Sequence, residues 1–226
     1  MNDLIAKKVQ LDTGEYVYQT LEGHIEDVLK VGSQILSRIN TSCKYVEKDS
    51  LRRIALTVMT FHDYGKFLPE FQNAIKENKL EKKHKISHAL YSTLFINSNI
   101  GDELADWVCS LSMLSHHSSL HKSLFSGNLI IPAIKDKTIK TSDNIFESLV
   151  KICEKNSGWI PPATLNCSQI EYIKKIGGSA SLVKIRDQIK ISDMMQLTFN
   201  KKFRTNLHEA SYLYALVHMI LKISDE

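Results

Sequence analysis

Apolar residues return along most of this chain with a helical period, and strand-like alternation is confined to one short stretch. From about Glu22 to Ile39 the series Ile25, Val28, Leu29, Ile35, Leu36 and Ile39 falls on one helix face. Asp49 or Ser50 offers an N-cap for a buried helix over Leu51–His62, which Gly65 is expected to end. Pro69 opens a short helix through Ile75, and a charged loop covers Lys76–Lys83. Further helices are predicted from about His84 to Phe95 and from Gly101-Asp102 to His117. Three more follow, at Asn144–Glu154, Ala180–Asn200 and Leu207–Ile223. The exception is residues 9–19, which alternate around Asp12-Thr13-Gly14 and read as a short hairpin or an irregular lead-in. Residues 120–168 hold Ser126-Gly127-Asn128, Pro132, Gly158 and Pro161-Pro162, and are expected to form an insertion or lid. The pattern predicts one all-α domain over residues 1–226.

Composition narrows this picture only in places. Apolar residues make up 43% of the chain, enough for a well-buried core and against disorder. A net charge of +4 permits contact with a polyanion, but no clustered basic, aromatic-rich stripe accompanies it. Cys43, Cys109, Cys153 and Cys167 are scattered, which argues against a zinc finger or disulfide framework and for a reducing cytoplasm. No signal pattern opens the chain and no apolar run is long enough for a bilayer, so no membrane partner is expected.

The distribution of histidines changes the picture most. Six of the nine histidines fall by residue 117: His24, His62, His84, His88, His116 and His117. His62 stands beside Asp63 where a predicted helix stops, and imidazoles with a shared carboxylate suit one or two divalent transition metals. Taken alone, His62-Asp63 reads as a helix C-terminal cap, His24 as structural and Lys66 as a solvated lysine after a turn. Adjacent helical residues point about 100° apart, so His62 and Asp63 share a site only if the helix ends between them and Asp63 bridges neighbouring ions. The pair His116-His117 at the mouth of a buried helix is costly unless hydrogen-bonded or metallated. His84 and His88 are spaced i,i+4 and both can face one site. His121, His208 and His218 carry no such signal, and His218 suits the core edge of the last helix. Two cations need more negative charge than Asp63 supplies; Asp225 is the candidate, with Asp193 and Asp106 as competitors.

Together these pieces resemble the HD-type nuclease domain of the CRISPR type I effector nuclease-helicase. The resemblance rests on His24-x-x-Asp27-Val28, His62-Asp63-x-Gly65-Lys66, Phe71-Gln72, His88-x-x-x-Ser92 or His84-x-x-x-His88, and His116-His117. Gly-Lys followed by Phe-Gln separates this branch from generic HD phosphohydrolases. The resemblance implies an all-α bundle with a di-metal centre that acts on single-stranded DNA exposed at an R-loop. It implies His24, His62 and Asp63 as ligands with Asp63 between two ions, and His116 and His117 as ligands of the second. His88 matches the family's middle histidine better than His84. The family's last ligand lies in Ala-Asp-Trp-x-Ala-Ser after the tandem histidines; here Ala105-Asp106-Trp107-Val108-Cys109-Ser110 precedes them, and Asp225 has the right order but a poorer local match.

The chemistry expected is hydrolysis of phosphodiesters by an endo- or exonuclease using two divalent ions, drawn from Mn, Fe, Co, Ni, Mg or Zn. Asp63 and Lys66 carry the catalytic roles, and Lys66, Lys82, Lys83 and Lys85 would hold the phosphate backbone without reading bases. A helicase, as a subunit or a domain, and an RNA-guided CRISPR surveillance complex are the expected partners. Two alternatives stay open: an HD hydrolase of nucleotides or cyclic dinucleotides, and a non-catalytic helical module.

Overall fold

The computed structural model describes residues 4–39, 47–81, 84, 88–89, 91–93, 103–117, 151–152, 154–155 and 207–226, excepting the side chains of Glu103, Asp106, Leu207 and His208. The expectations for 120–150 and 180–200, and those for Lys82, Lys83, Lys85, His121 and Asp193, lie outside the described residues.

The chain opens with a hairpin of β1 (Ile5–Gln10) and β2 (Tyr16–Thr20), antiparallel with Val9 opposite Val17. Its turn closes on Gly14 at φ +85, a backbone state that glycine adopts without a Cβ penalty. The alternation at residues 9–19 therefore marks a real hairpin, longer than those residues alone.

Helix α1 (Leu21–Arg38) follows directly, capped by Thr20, whose Oγ1 accepts from the Gly23 N–H at 3.1 Å. Its face of Leu21, His24, Ile25, Val28, Leu29 and Leu36 is buried. Helix α2 (Lys48–Phe61) starts earlier than the sequence suggests. Its N-cap position is Glu47, which makes no side-chain cap bond, and Asp49 sits in the first turn, where its charge complements the helix dipole. Every residue from Ile54 to Phe61 is buried, so the second half of α2 runs through the core while its first turns, with Lys48, Asp49 and Arg52, face solvent. Its Thr57 and Thr60 hydroxyls are satisfied within the helix by the carbonyls of Arg53 and Leu56.

A 3-10 turn (Tyr64–Phe67) links α2 to the short α3 (Pro69–Lys76). The described residues His84, His88, Ala89, Tyr91 and Ser92 are helical, as predicted for that segment, and so are 151–152 and 154–155. Helix α4 (Glu103–Ser115) and α5 (Leu207–Asp225) pack on α2, and α5 also lies against α1. Each Leu or Ile so buried contributes about 1.5–3 kcal/mol, which makes the α1–α2–α4–α5 contact the rigid frame of the molecule. The hairpin rests on α1 and α3. Apart from it the described fold is all-helical, and no described helix is long and apolar enough to cross a membrane.

Candidate metal centre

The end of α2 resolves how His62 and Asp63 can serve one place. His62 keeps helical dihedrals and donates its N–H to the Val58 carbonyl at 2.9 Å, whereas Asp63 at φ −109, ψ 4 turns the chain out of the helix. The Lys66 N–H then bonds the Asp63 carbonyl at 2.9 Å, closing the turn. Gly65 is not a left-handed cap, as a helix-ending glycine would be. It sits where another backbone presses close: a Cβ there would lie 1.9 Å from the His88 carbonyl oxygen. Its N–H donates to Ser92 Oγ at 2.8 Å, so Gly65 and Ser92 together dock the His88 segment on the turn.

Two donor groups converge here. His24, His62, Asp63 and Asp225 form one, and His88, His116 and His117 the other; within each group the ligand atoms lie within 4.8 Å of one another. Asp63 touches both. Its Oδ2 is 2.9 Å from His24 Nε2 and 3.4 Å from His62 Nε2, while its Oδ1 is 3.2 Å from His88 Nε2 and 3.6 Å from His116 Nε2. Asp225, the last residue of α5, brings Oδ1 to 3.1 Å from His24 Nε2 and 3.6 Å from His62 Nε2.

Backbone carbonyls orient the rings. The Nδ1 of His62, His88 and His116 face the carbonyls of Met59, His84 and Met113. A proton on each Nδ1 leaves Nε2 aimed at the centre, the outer-shell arrangement that prepares histidine for a metal. In the second group the Nε2 of His117 lies 2.9 Å from that of His88, which is 3.4 Å from that of His116. Lone pairs brought this close repel unless a cation or a proton stands among them.

Burial makes the charges count. Although burial disfavours the His62 imidazolium, the charge of Asp63 and the contacts with Asp225 raise its pKa to about 10. Burial also opposes ionisation of Asp63, yet Lys66 and His62 hold its carboxyl well below the ordinary range. Asp225 is lowered too: burial opposes its charge, and His24 and His62 outweigh that. In the all-imidazole group burial dominates, lowering His88 to about 4 and, with help from charge on His116 and His88, His117 to about 2. Among the described residues, the buried His24 Nε2, His62 Nε2, both Asp63 oxygens and Asp225 Oδ1 find polar partners only within this cluster and on Lys66 and Lys7. Buried carboxylates and imidazoles crowded in this way form a donor set that fits divalent cations accepting nitrogen and oxygen ligands.

Of the residues singled out from sequence, His24, His62, Asp63, His88, His116, His117 and Asp225 meet here. His84 does not. Its Nδ1 accepts from the Glu81 N–H at 3.0 Å, while only its backbone carbonyl serves the centre, through His88. Asp27 binds Gln19 Nε2 at 2.7 Å on the surface. Lys66 is not a solvated lysine: it is buried, with its ammonium 2.5 Å from Asp63 Oδ2. Phe71 packs edge-on against the His88 ring at 5.1 Å. Gln72 clamps the hairpin to the turn, its amide donating to the Ile5 and Lys66 carbonyls while Oε1 accepts from the Ile5 N–H. Sequence reasoning missed Lys7, which meets Asp225, because no local pattern marks a surface lysine. It also missed the role of Ser115, whose hydroxyl contacts Tyr214 OH at 2.8 Å and His218 Nδ1 at 3.3 Å.

The family described as "Cas3, HD domain" matches residues 6–173. A relative from Methanocaldococcus jannaschii that bears the name CRISPR-associated nuclease/helicase Cas3 is 36% identical over 96 residues, which is 39% of this chain and 13% of that protein. The chain thus spans a small part of that relative's length. With a match over well more than half of its residues, in which all the convergent donors but Asp225 lie, this chain belongs to the family of Cas3 HD domains.

Proposed function

We propose that this chain is a nuclease domain that hydrolyses phosphodiester bonds in single-stranded DNA with two divalent cations, in CRISPR interference. The observation that carries the reading is Asp63, whose two oxygens reach two different groups of convergent donors. His24, His62, Asp63 and Asp225 would hold one ion, and His88, His116 and His117, with Asp63 shared, the other. Divalent ions in such a pair activate water and neutralise charge on the phosphoryl and leaving oxygens. Asp63 would be the ligand shared between the two groups, and the carbonyl-bound imidazoles keep the donors in place without reorganisation. Lys66 neutralises Asp63; once cations share that carboxylate, its ammonium can donate to a phosphate oxygen. His62 must give up its proton before its Nε2 binds a cation, so metal uptake releases protons.

Residues 1–226 would act as one HD domain, with the expected segment at 120–168 as an insertion or lid. A helicase, carried on the same chain or another, and an RNA-guided surveillance complex would present the strand. A net charge of +4 supports weak, phosphate-directed and salt-sensitive binding by the domain alone.

The test is parallel digestion of single-stranded DNA, duplex DNA, a deoxynucleoside triphosphate and a cyclic dinucleotide, with Mn or Ni supplied or removed. Metal-dependent cutting of single-stranded DNA, with duplex mostly spared and little sequence preference, is the expected result. Turnover of a small nucleotide with DNA untouched would transfer the assignment to the nucleotide hydrolases, and full activity after exhaustive chelation would end the metal reading.

A further inference from the structure

Asp225 lies in the last turn of α5, its carboxylate largely buried and directed at His24 and His62. The bonds of the last turn, Ser224 Oγ to the Ile220 carbonyl and the Glu226 N–H to the Lys222 carbonyl, hold the backbone but do not touch the carboxylate. Lys7 on β1 does. Its ammonium donates to the Asp225 backbone carbonyl and lies 3.5 Å from Asp225 Oδ1, gripping main chain and side chain at once.

Lys7 is itself aimed. The β1–β2 register is irregular between Ile5 and Lys7, and such bulges redirect the side chain beside them. Gln72 holds Ile5 at both its N–H and its carbonyl, and the same amide binds the Lys66 carbonyl in the turn after Asp63. One glutamine thus sets the hairpin against the centre two residues before Lys7. The neighbouring Lys8 goes elsewhere, its ammonium 3.9 Å from the Tyr16 ring centroid.

We propose that Lys7 is a positioning residue for Asp225, through which the N-terminal hairpin sets the affinity of the cation position formed by His24, His62, Asp63 and Asp225. This rests on the metal-centre reading above. A lysine near a ligand also repels a cation, so two effects oppose each other. Orientation outweighs repulsion here, because the Lys7 side chain is 33% exposed and its charge is screened, whereas a displaced Asp225 removes a donor outright.

Co(II) titration of the full chain, followed by calorimetry and by the ligand-field absorption of cobalt, provides the test. The parent should take up two equivalents. Lys7→Met should weaken one of them about tenfold or more and leave the other unchanged, with Lys7→Arg restoring both. Asp225→Asn should weaken the same equivalent, and adding Lys7→Met to it should weaken that equivalent no further. Lys7→Leu, which removes the ammonium as well, takes the place of Lys7→Met if that variant does not fold. Unchanged affinities in the variant that lacks the ammonium, or equal weakening of both equivalents, would overturn the proposal while leaving the two-metal reading intact. A parent that binds no cobalt would overturn both.

Discussion

The two donor groups that meet at Asp63 use the same imidazole chemistry to opposite electrostatic ends. In the carboxylate-rich group, Asp63 and Asp225 overcome burial and hold a proton on His62 up to about pH 10. In the all-imidazole group, burial prevails and keeps His88 and His117 neutral down to about pH 4 and 2. The first group answers its negative charge with a proton and Lys66; the second brings the Nε2 atoms of His88 and His117 to 2.9 Å, a distance that requires a proton or a cation between them. On the proposed reading, the first group would exchange its proton for a cation and the second would hold one among its imidazoles. Their scaffolds differ as well. His24, His62 and Asp225 come from α1, α2 and α5, three mutually packed core helices. His88 depends on one close backbone contact at Gly65, and His116 and His117 lie just past the end of α4. Among the described residues, the carboxylate group is held by α1, α2 and α5, and the imidazole group by the end of α4 and the His88 segment docked on Gly65.

The harshest test of that division is its shared member. Asp63→Asn should abolish cleavage of single-stranded DNA and weaken both metal equivalents, as seen by nuclease assay and metal analysis of the same sample. Loss of a single equivalent would show that Asp63 is not shared. Position at a helix end suggests that Asp63→Ala would leave the fold intact, but the carboxylate is buried against Lys66 and His62. Removing one partner of a buried pair costs about 3–5 kcal/mol, so metal-free Asp63→Ala should melt markedly earlier in calorimetry.

A narrower test asks which histidine serves the imidazole group. His88→Ala should reduce cleavage by about 10–100-fold, the scale of changes at and behind metal ligands. His84→Ala should do much less, because His84 serves the centre through its backbone carbonyl. The reverse order in a side-by-side assay would return the ligand role to His84.

Gly65→Ala probes the anchoring. Forcing a methyl against the His88 carbonyl should cost about 1–3 kcal/mol in denaturant melts. In cobalt titrations it should weaken the imidazole group first; equal weakening of both would mean that the groups share one anchor.

A further effect is in pH. His62, raised above its ordinary 6.5, adds stability that is full below pH 6.5 and lost as pH climbs toward 10. His88 and His117, lowered, act the other way: below pH 6.5 the unfolded chain takes up protons that the folded chain refuses, and stability falls. Asp63 and Asp225 deepen the acid loss at still lower pH. The metal-free protein should therefore show its highest melting temperature near pH 6–7, with the alkaline slope absent in His62→Gln and the acid slope reduced in His117→Gln. A melting temperature that rises steadily through pH 9 would contradict the opposed titrations.

Much of this was readable before any coordinates. The helical period of Ile25, Val28 and Leu29 marked the buried face of α1, and the ordered histidines with His62-Asp63-x-Gly65-Lys66 pointed to the family to which the chain belongs. Local sequence carries such information because a helix or a turn is decided by residues a few positions apart. Other features depended on which faces meet. Gly65 reads as a helix cap, yet it is required by a backbone some 25 residues away. Lys66 reads as solvated, yet burial gives it Asp63 as a partner. Order along the chain favoured Asp225 over Asp106, but no local pattern marked it, and none marked Lys7. These two lie near opposite ends of the chain and touch only because α5 packs on α1 and the hairpin packs on α1 beside it. Periodicity tells each element which side to bury; only the packing of the whole decides what that side will find there.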